Sequence, residues 1–300
     1  MNGKTIKGIL KVPSGLIGTI VLVAVLAIAL LGPLFTPHSI TAIVGTSSAP
    51  PGHGFLLGTD FLGRDVLSRV LAGGRSVIGI GFAATVLAYL VGVTIGLFAG
   101  YRGGTSDAIA MRVVDVFLAF PPLLLLLLLI GGLGQHIWVL IVSVIFALAP
   151  PIARVTRTAT QSVSKQSYVE AAQARGDSTL VIWRGDILPN IMHTILADFG
   201  IRFAVSILLV ASLNYLGLGL TPPAADWGLM TSENQATFIL NPAAVVAPAV
   251  MLALLTISIN LIADAYIRVV GGRVVSRRRR RRAGATPVAT PPLHALKEVA

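Results

Sequence analysis

Ser167 and Glu170 stand three residues apart. At that spacing a serine oxygen accepts from one backbone N–H of a helix start while the glutamate carboxylate reaches back to another. Ala171, Ala172 and Ala174 follow, all strong helix formers, and then Gly176, a residue suited to a left-handed helix end. Asp177 or Ser178 can start a second helix, and Pro189 falls where the next apolar run begins. A second cluster, Gly58, Thr59, Asp60, Gly63, Arg64 and Asp65, combines turn residues with opposite charges. A third group lies inside apolar sequence: Asp198 and Arg202, at i and i+4, with Asn214 further on. The chemistry common to these groups is ion pairing and recognition. Bond-breaking chemistry finds little support. The sequence has no cysteine, which excludes thiolate nucleophiles, thiolate metal ligands and disulfides. His53, His136 and His193 are scattered without ligand spacing. Gly3-Lys4-Thr5 lacks an upstream glycine loop that could cradle phosphate, so no nucleotide site is expected.

The elements that must position these residues are membrane spans. Hydrophobic residues make up 55% of the chain and charged residues 12%, about half the usual share of a soluble domain. Mean hydropathy is +0.85. Six apolar segments stand out: Leu16–Phe35, Val77–Ala99, Val113–Leu133, Ile137–Ile152, Ile191–Leu216 and Ala243–Val270. The first follows Lys4, Lys7 and Lys11 and is too long for a signal core, so it reads as a retained span. Pro121-Pro122 should kink or break the third. Pro150-Pro151 should end the fourth, the shortest. With the N-terminus inside, only Arg64, Arg69 and Arg75 fall in outside segments. Every other basic residue except Arg202, which lies within a span, falls inside. This is the positive-inside pattern, and it places both termini in the cytoplasm.

Each group has a plain reading beside a sharper one. Ser167–Asn190 is a helix–turn–helix at the inner surface, either a docking element for a partner or an unpartnered interfacial hairpin. The Gly58–Asp65 cluster is a loop knitted by Asp–Arg pairs, or a gate or docking element. Asp198 and Arg202 neutralise one another or, with Asn214, form a polar wall of a translocation path. Arg277–Arg282 anchors to anionic lipid in preference to nucleic acid, because it sits beside a span. The chain divides into a permease-like domain, residues 1–272, with the hairpin at 154–190. An Arg-rich tail, 273–300, has a composition that argues against regular structure.

"EAAQARG", followed at fixed distance by "ILPN", resembles the EAA motif of ABC-importer permeases. "LGTDFLGRDVLSR", "AGYRGG", "MRVVDVFLAFPPLLL" and "LNYLGLGLTPPAADWG" are similar to the C-type transmembrane subunit of the dipeptide/oligopeptide branch. The resemblance covers about Leu16 to Val270. It implies an all-α integral membrane protein with six spans, the type I importer fold and a cytoplasmic coupling helix. It also implies a bacterial inner-membrane permease without its own ATPase site, moving di- or oligopeptides inward by alternating access. The ATPase-coupling residues would be Glu170, Ala171, Ala172, Gly176, Leu188 and Pro189. Partners would be a second, B-type permease chain, two ATP-binding subunits carrying ATP and Mg, an extracytoplasmic substrate-binding protein and membrane lipid. Nucleic acid would not be among them. Nickel, heme or an opine are alternative cargoes for the same architecture. A stand-alone secondary transporter is the rival class, disfavoured because no inverted repeat is visible.

Overall fold

The computed structural model describes residues 3–52 and 54–283, with side chains from 6 to 270 apart from residue 53. A short amphipathic helix α1 (Gly3–Leu10) precedes the first span, α2 (Pro13–Leu31). A long irregular stretch then leads to α3 (Val66–Ala72), which runs through Gly73 into α4 (Gly74–Arg102). The other helices are α5 (Gly104–Leu118), α6 (Pro122–Leu133), α7 (Ile137–Ser164), α8 (Ser167–Ala174), α9 (Thr179–Ile182), α10 (Leu188–Tyr215), α11 (Trp227–Glu233) and α12 (Ala243–Ala283). Among the described residues there is no β-strand, only isolated bridges in the loop before α3. Among the described residues five helical stretches are long and apolar enough to cross a membrane, and α5 with α6 supplies a sixth if that bent pair is one span.

The two proline pairs behave differently. At Pro121-Pro122 the chain breaks, and α5 and α6 meet at 85°. Pro122 cannot donate to the carbonyl four residues back, and its ring disfavours helix at the residue before it. Pro150-Pro151 was the other expected terminus, and there the structure differs: α7 carries both prolines in its interior and continues to Ser164. The two lost N–H donors leave two carbonyls short, which a helix in a bundle tolerates where neighbours or water satisfy them. The helix is therefore 28 residues long, and its C-terminal end delivers the hairpin.

Helices α4 and α7 pack most closely. The reason is a stripe of Gly92, Gly96 and Gly100, four residues apart on one face of α4. A Cβ at Gly96 would lie 2.6 Å from the Ala153 oxygen, and one at Gly100 would lie 2.7 Å from that of Arg157. Small residues at this spacing let two backbones approach, which in lipid substitutes for hydrophobic driving force. At the hairpin end of this seam Arg157 bonds Asp107, and Arg154 bonds Asp115, both at 2.5 Å, so α5 is tied to α7.

Helix α12 extends past its span to Ala283, so the backbone through Arg277–Arg282 is helical, where composition alone argued for no regular structure. Arginine is a good helix former, and a helix once begun propagates cheaply. Residues 284–300 of the tail lie outside the described residues.

Candidate functional site

The hairpin is built from α8, α9 and the start of α10. Because α7 runs to Ser164, only Lys165 and Gln166 remain to turn the chain. Gln166 takes the extended conformation of the cap position, with no side-chain cap bond. Its carbonyl accepts from Val169 and Glu170 at 2.9 and 3.1 Å. Ser167 is thus already inside the helix, and the Ser167–Glu170 capping box expected from spacing does not form. Glu170 is exposed, and it sits in the first turn, where a carboxylate favours the helix dipole.

The other end of α8 closes as expected for glycine. Gly176 has φ +82°. Its N–H donates to Gln173 O at 2.9 Å, and the Asp177 N–H donates to Ala172 O at 3.2 Å. This pair of bonds is a Schellman end and requires the left-handed residue. Helix α9 then enters a π-helical turn, Trp183–Ile187, where the Leu188 N–H reaches back to Trp183 O. Pro189 follows at the start of α10, where its missing N–H costs little. The second helix of the hairpin is therefore continuous with a span.

One face of the hairpin is anchored to its own protein. Val169, Ala172, Ile182 and Ile187 are buried together with Leu97 of α4 and Ile191 of α10. Trp183 packs edge-on against Tyr101, and Gln173 Nε2 donates to the Tyr101 hydroxyl at 3.2 Å. Ala172, one of the coupling residues implied by the resemblance, is fully buried, and its small side chain admits the hairpin's own second arm. The exposed face carries Tyr168, Glu170, Ala171, Ala174, Leu180 and Val181. Tyr168 is 43%, Leu180 53% and Val181 56% exposed.

At the opposite end of the bundle the Gly58–Asp65 loop docks on α11. Asp60 is fully buried; its Oδ1 accepts from the Leu62 and Arg64 N–H groups, and its Oδ2 from Arg64 Nε at 2.6 Å. Arg64 Nη2 also donates to Glu233 at 3.2 Å. Asp65 caps α3 by accepting from the Ser68 N–H and hydroxyl. The Thr59 hydroxyl donates to Thr46 O at 2.5 Å and accepts from the Ala49 N–H. Gly58 and Gly63 hold positive φ, +73° and +83°. The plain reading of this loop, pairing and turns, describes its geometry.

The binding-protein-dependent transport system inner membrane component family matches residues 92–276. The chain belongs to this family of importer permeases. It is 34% identical over 214 residues to the glutathione transport system permease protein GsiD of Pectobacterium atrosepticum, 71% of each chain. It is 33% identical to the oligopeptide transport system permease protein OppC of Bacillus subtilis over 83% of this chain and 82% of that one. In fold it is similar to the inward-facing MetNI methionine ABC transporter, with a TM-score of 0.54 and 20% identity, over 68% of this chain and 95% of the other. The permease is thus a multi-pass membrane component of an ABC importer, with the all-α type I fold, and it works with ATP-binding partner subunits.

Residue-by-residue reading of the permease sequence missed the partners that lock the end opposite the hairpin. Arg69 is fully buried. It donates to Glu233 at 2.8 Å and to the carbonyls of Ile40, Pro223 and Ala224. Its Nε lies 3.5 Å from Asp60 Oδ2. Asn234 Oδ1 accepts from the Phe61 N–H, and Asn241 Nδ2 donates to Leu57 O and Thr59 O. Asp226 caps α11 and accepts from Ser76, while Trp227 Nε1 donates to Val70 O. Burial pushes the Glu233 carboxyl above its ordinary range, and the guanidinium groups of Arg69 and Arg64 pull it back. The spacing of Arg69 four residues after Asp65 suggests a pair that does not form, since Asp65 accepts from Ser68 and Arg69 turns to Glu233. Glu233, 169 residues from Arg64, offered no spacing signal.

Within the bundle, Arg202 Nε lies 3.3 Å from Asp198, and the Tyr89 hydroxyl donates to Asp198 at 2.7 Å. Asn214 is fully buried and accepts from the Leu220 N–H at 2.9 Å. Its oxygen serves the loop leaving α10, its Nδ2 is buried without a hydrogen-bond partner among the described residues, and it lies three turns or more along α10 from Asp198 and Arg202. Among the described residues no cluster of His, Asp and Glu could hold a metal ion.

Proposed function

We propose that the permease imports short peptides, with α8–α9 as the coupling element gripped by an ATP-binding subunit. The observation that carries this is the hairpin's two-faced build. One face is fixed to α4 and α10, while the other leaves Tyr168, Leu180 and Val181 uncovered beside Glu170, Ala171 and Ala174. A lever needs both properties. A rigid displacement of the hairpin passes through Leu97 and Tyr101 into α4, and through the glycine stripe into α7. ATP and Mg belong to the partner subunits, and this chain hydrolyses nothing. The full assembly holds a second permease chain, two ATP-binding subunits and an extracytoplasmic receptor. The glutathione and oligopeptide relatives support a peptide cargo over nickel, heme or an opine.

Reconstitution tests the reading. Proteoliposomes holding both permease chains, the ATPases and the receptor should accumulate labelled trialanine with ATP, and omission of the ATPases should abolish accumulation. The isolated chain should show no ATP hydrolysis above empty vesicles. Hydrolysis by the pure chain, or uptake without ATPases, contradicts the assignment.

Both termini face the cytoplasm in this reading, supported by the concentration of Lys and Arg on the hairpin side. The absence of native cysteine makes the test simple. An impermeant thiol reagent added to whole cells should label Leu56→Cys, at a position 77% exposed at the opposite end, and should leave the exposed Ala174→Cys unlabelled. The reverse pattern inverts the topology.

A further inference from the structure

The elbow between α5 and α6 closes over a cavity of about 250 Å³, walled also by α7 and α10. That is slightly below the roughly 300 Å³ at which drug-sized sites begin, so it suits a small ligand. Its walls are apolar, with Phe117 and Phe120 from the elbow, and a single charged residue, Arg202, reaches it. Three features make this more than a packing fault. First, Arg202 is only partly used: Nε goes to Asp198, and the two terminal amino groups make no hydrogen bond among the described residues. A guanidinium fork with four free N–H donors matches a carboxylate in bidentate fashion. Second, Asp198 is held by the Tyr89 hydroxyl as well as by Arg202 Nε, which keeps the guanidinium oriented while its outer edge stays available. Third, prolines remove two donors beside the cavity. Pro122 has no N–H for the Leu118 carbonyl, and Pro151 has none for that of Ala147; both Leu118 and Ala147 line the same space. Carbonyls short of a donor are acceptors for a ligand's N–H groups.

We propose that this elbow pocket is a transient binding site on the translocation path for the C-terminal end of a short peptide. Arg202 takes the free α-carboxylate, the Leu118 and Ala147 carbonyls take N–H donors, and Phe117 and Phe120 flank the side chain. The proposal rests on the peptide reading above and deepens it, because it makes a free C-terminus part of what the permease selects. An ionisable side chain inside a span is costly and is retained where it pairs or serves transport. Here the pairing uses only one of its three nitrogens.

The test compares trialanine with trialanine amide in the full reconstituted complex. Arg202→Gln should reduce the free-acid-to-amide uptake ratio at least tenfold relative to the unmodified complex. The receptor is common to both complexes, so its own preference cancels. Arg202→Lys, which keeps the charge and loses the fork, should fall between. An occupancy measurement avoids dependence on transport rate. Phe120→Cys, on the cavity wall, should be protected from N-ethylmaleimide by trialanine and much less by the amide, and Arg202→Gln should erase the difference. Asp198→Asn/Arg202→Gln, a neutral pair, covers the case in which the single variant fails to reach the membrane. Unchanged acid-to-amide selectivity in a variant that still imports peptide overturns this inference alone. Equal loss of both ligands with no change in ratio makes Arg202 structural and overturns it too. Uptake of neither peptide by the unmodified complex overturns the peptide reading, and this inference with it.

Discussion

Arg69→Met is expected to lower the thermal unfolding midpoint of the purified permease far more than removal of any exposed arginine. Arg69 is fully buried, yet four acceptors converge on it: Glu233 and the carbonyls of Ile40, Pro223 and Ala224. Methionine fills much of the volume and removes the charge. Asp60 and Glu233 are then left with Arg64 alone as counter-charge. Breaking one partner of a buried ion pair costs about 3–5 kcal/mol, because the remaining charge has been taken from water without compensation. The control is Arg175→Met, since the Arg175–Asp177 pair is largely exposed and such pairs contribute about 0–1 kcal/mol. Arg69→Met/Glu233→Gln should recover part of the loss, since it removes the stranded carboxylate as well. A midpoint for Arg69→Met within error of the Arg175→Met control would show that the outer lock does not hold the loop to α11.

Some of this architecture was legible in the sequence and some was not. The apolar runs marked the spans, because lipid demands about 20 residues of helix whatever the neighbours. Pro121-Pro122 marked a break for an equally local reason. Pro150-Pro151 looked the same in sequence and behaved otherwise, since a helix packed along α4 is held by tertiary contacts that offset two missing hydrogen bonds. Gly92, Gly96 and Gly100 carried a readable signal in their four-residue spacing. The hairpin's end at Gly176 was local and legible. Its beginning was not, because the cap position depends on where α7 stops. Which of Ala171 and Ala172 faces outward depends on Ile182 and Ile187 folding back on α8, a contact that no spacing within α8 specifies. The outer lock joins Arg64 and Arg69 to Glu233 over more than 160 residues, beyond any local pattern.

The second large effect concerns the hairpin. Ala172→Glu should abolish uptake while leaving the spans inserted. Ala172 is buried among Val169, Ile182 and Ile187, and a carboxylate there is either desolvated without a partner or forces the two arms apart. Gly176→Val should impair uptake by a different route. Nothing lies within 4 Å of a Cβ at Gly176, so the cost is backbone strain at φ +82°, about 1–3 kcal/mol, and not a clash. That predicts an order: asparagine, which tolerates the left-handed region, should retain most uptake, alanine less, and valine least. Uptake by the valine variant equal to that of the asparagine variant would mean that the angle between the arms is immaterial.

The most direct test of the coupling assignment is proximity. In the complete transporter, single cysteines are placed at Ala171 and Ala172, adjacent in sequence, the first exposed and the second buried. Each is paired with a cysteine in the cleft of the ATP-binding subunit and tested for cross-linking with and without nucleotide. The account predicts that Ala171→Cys cross-links, with a yield that changes on nucleotide binding, and that the buried Ala172→Cys does not. Absence of any cross-link from Tyr168, Glu170, Ala171 or Ala174 would contradict it, and so would a cross-link from Ala172→Cys in preference to Ala171→Cys.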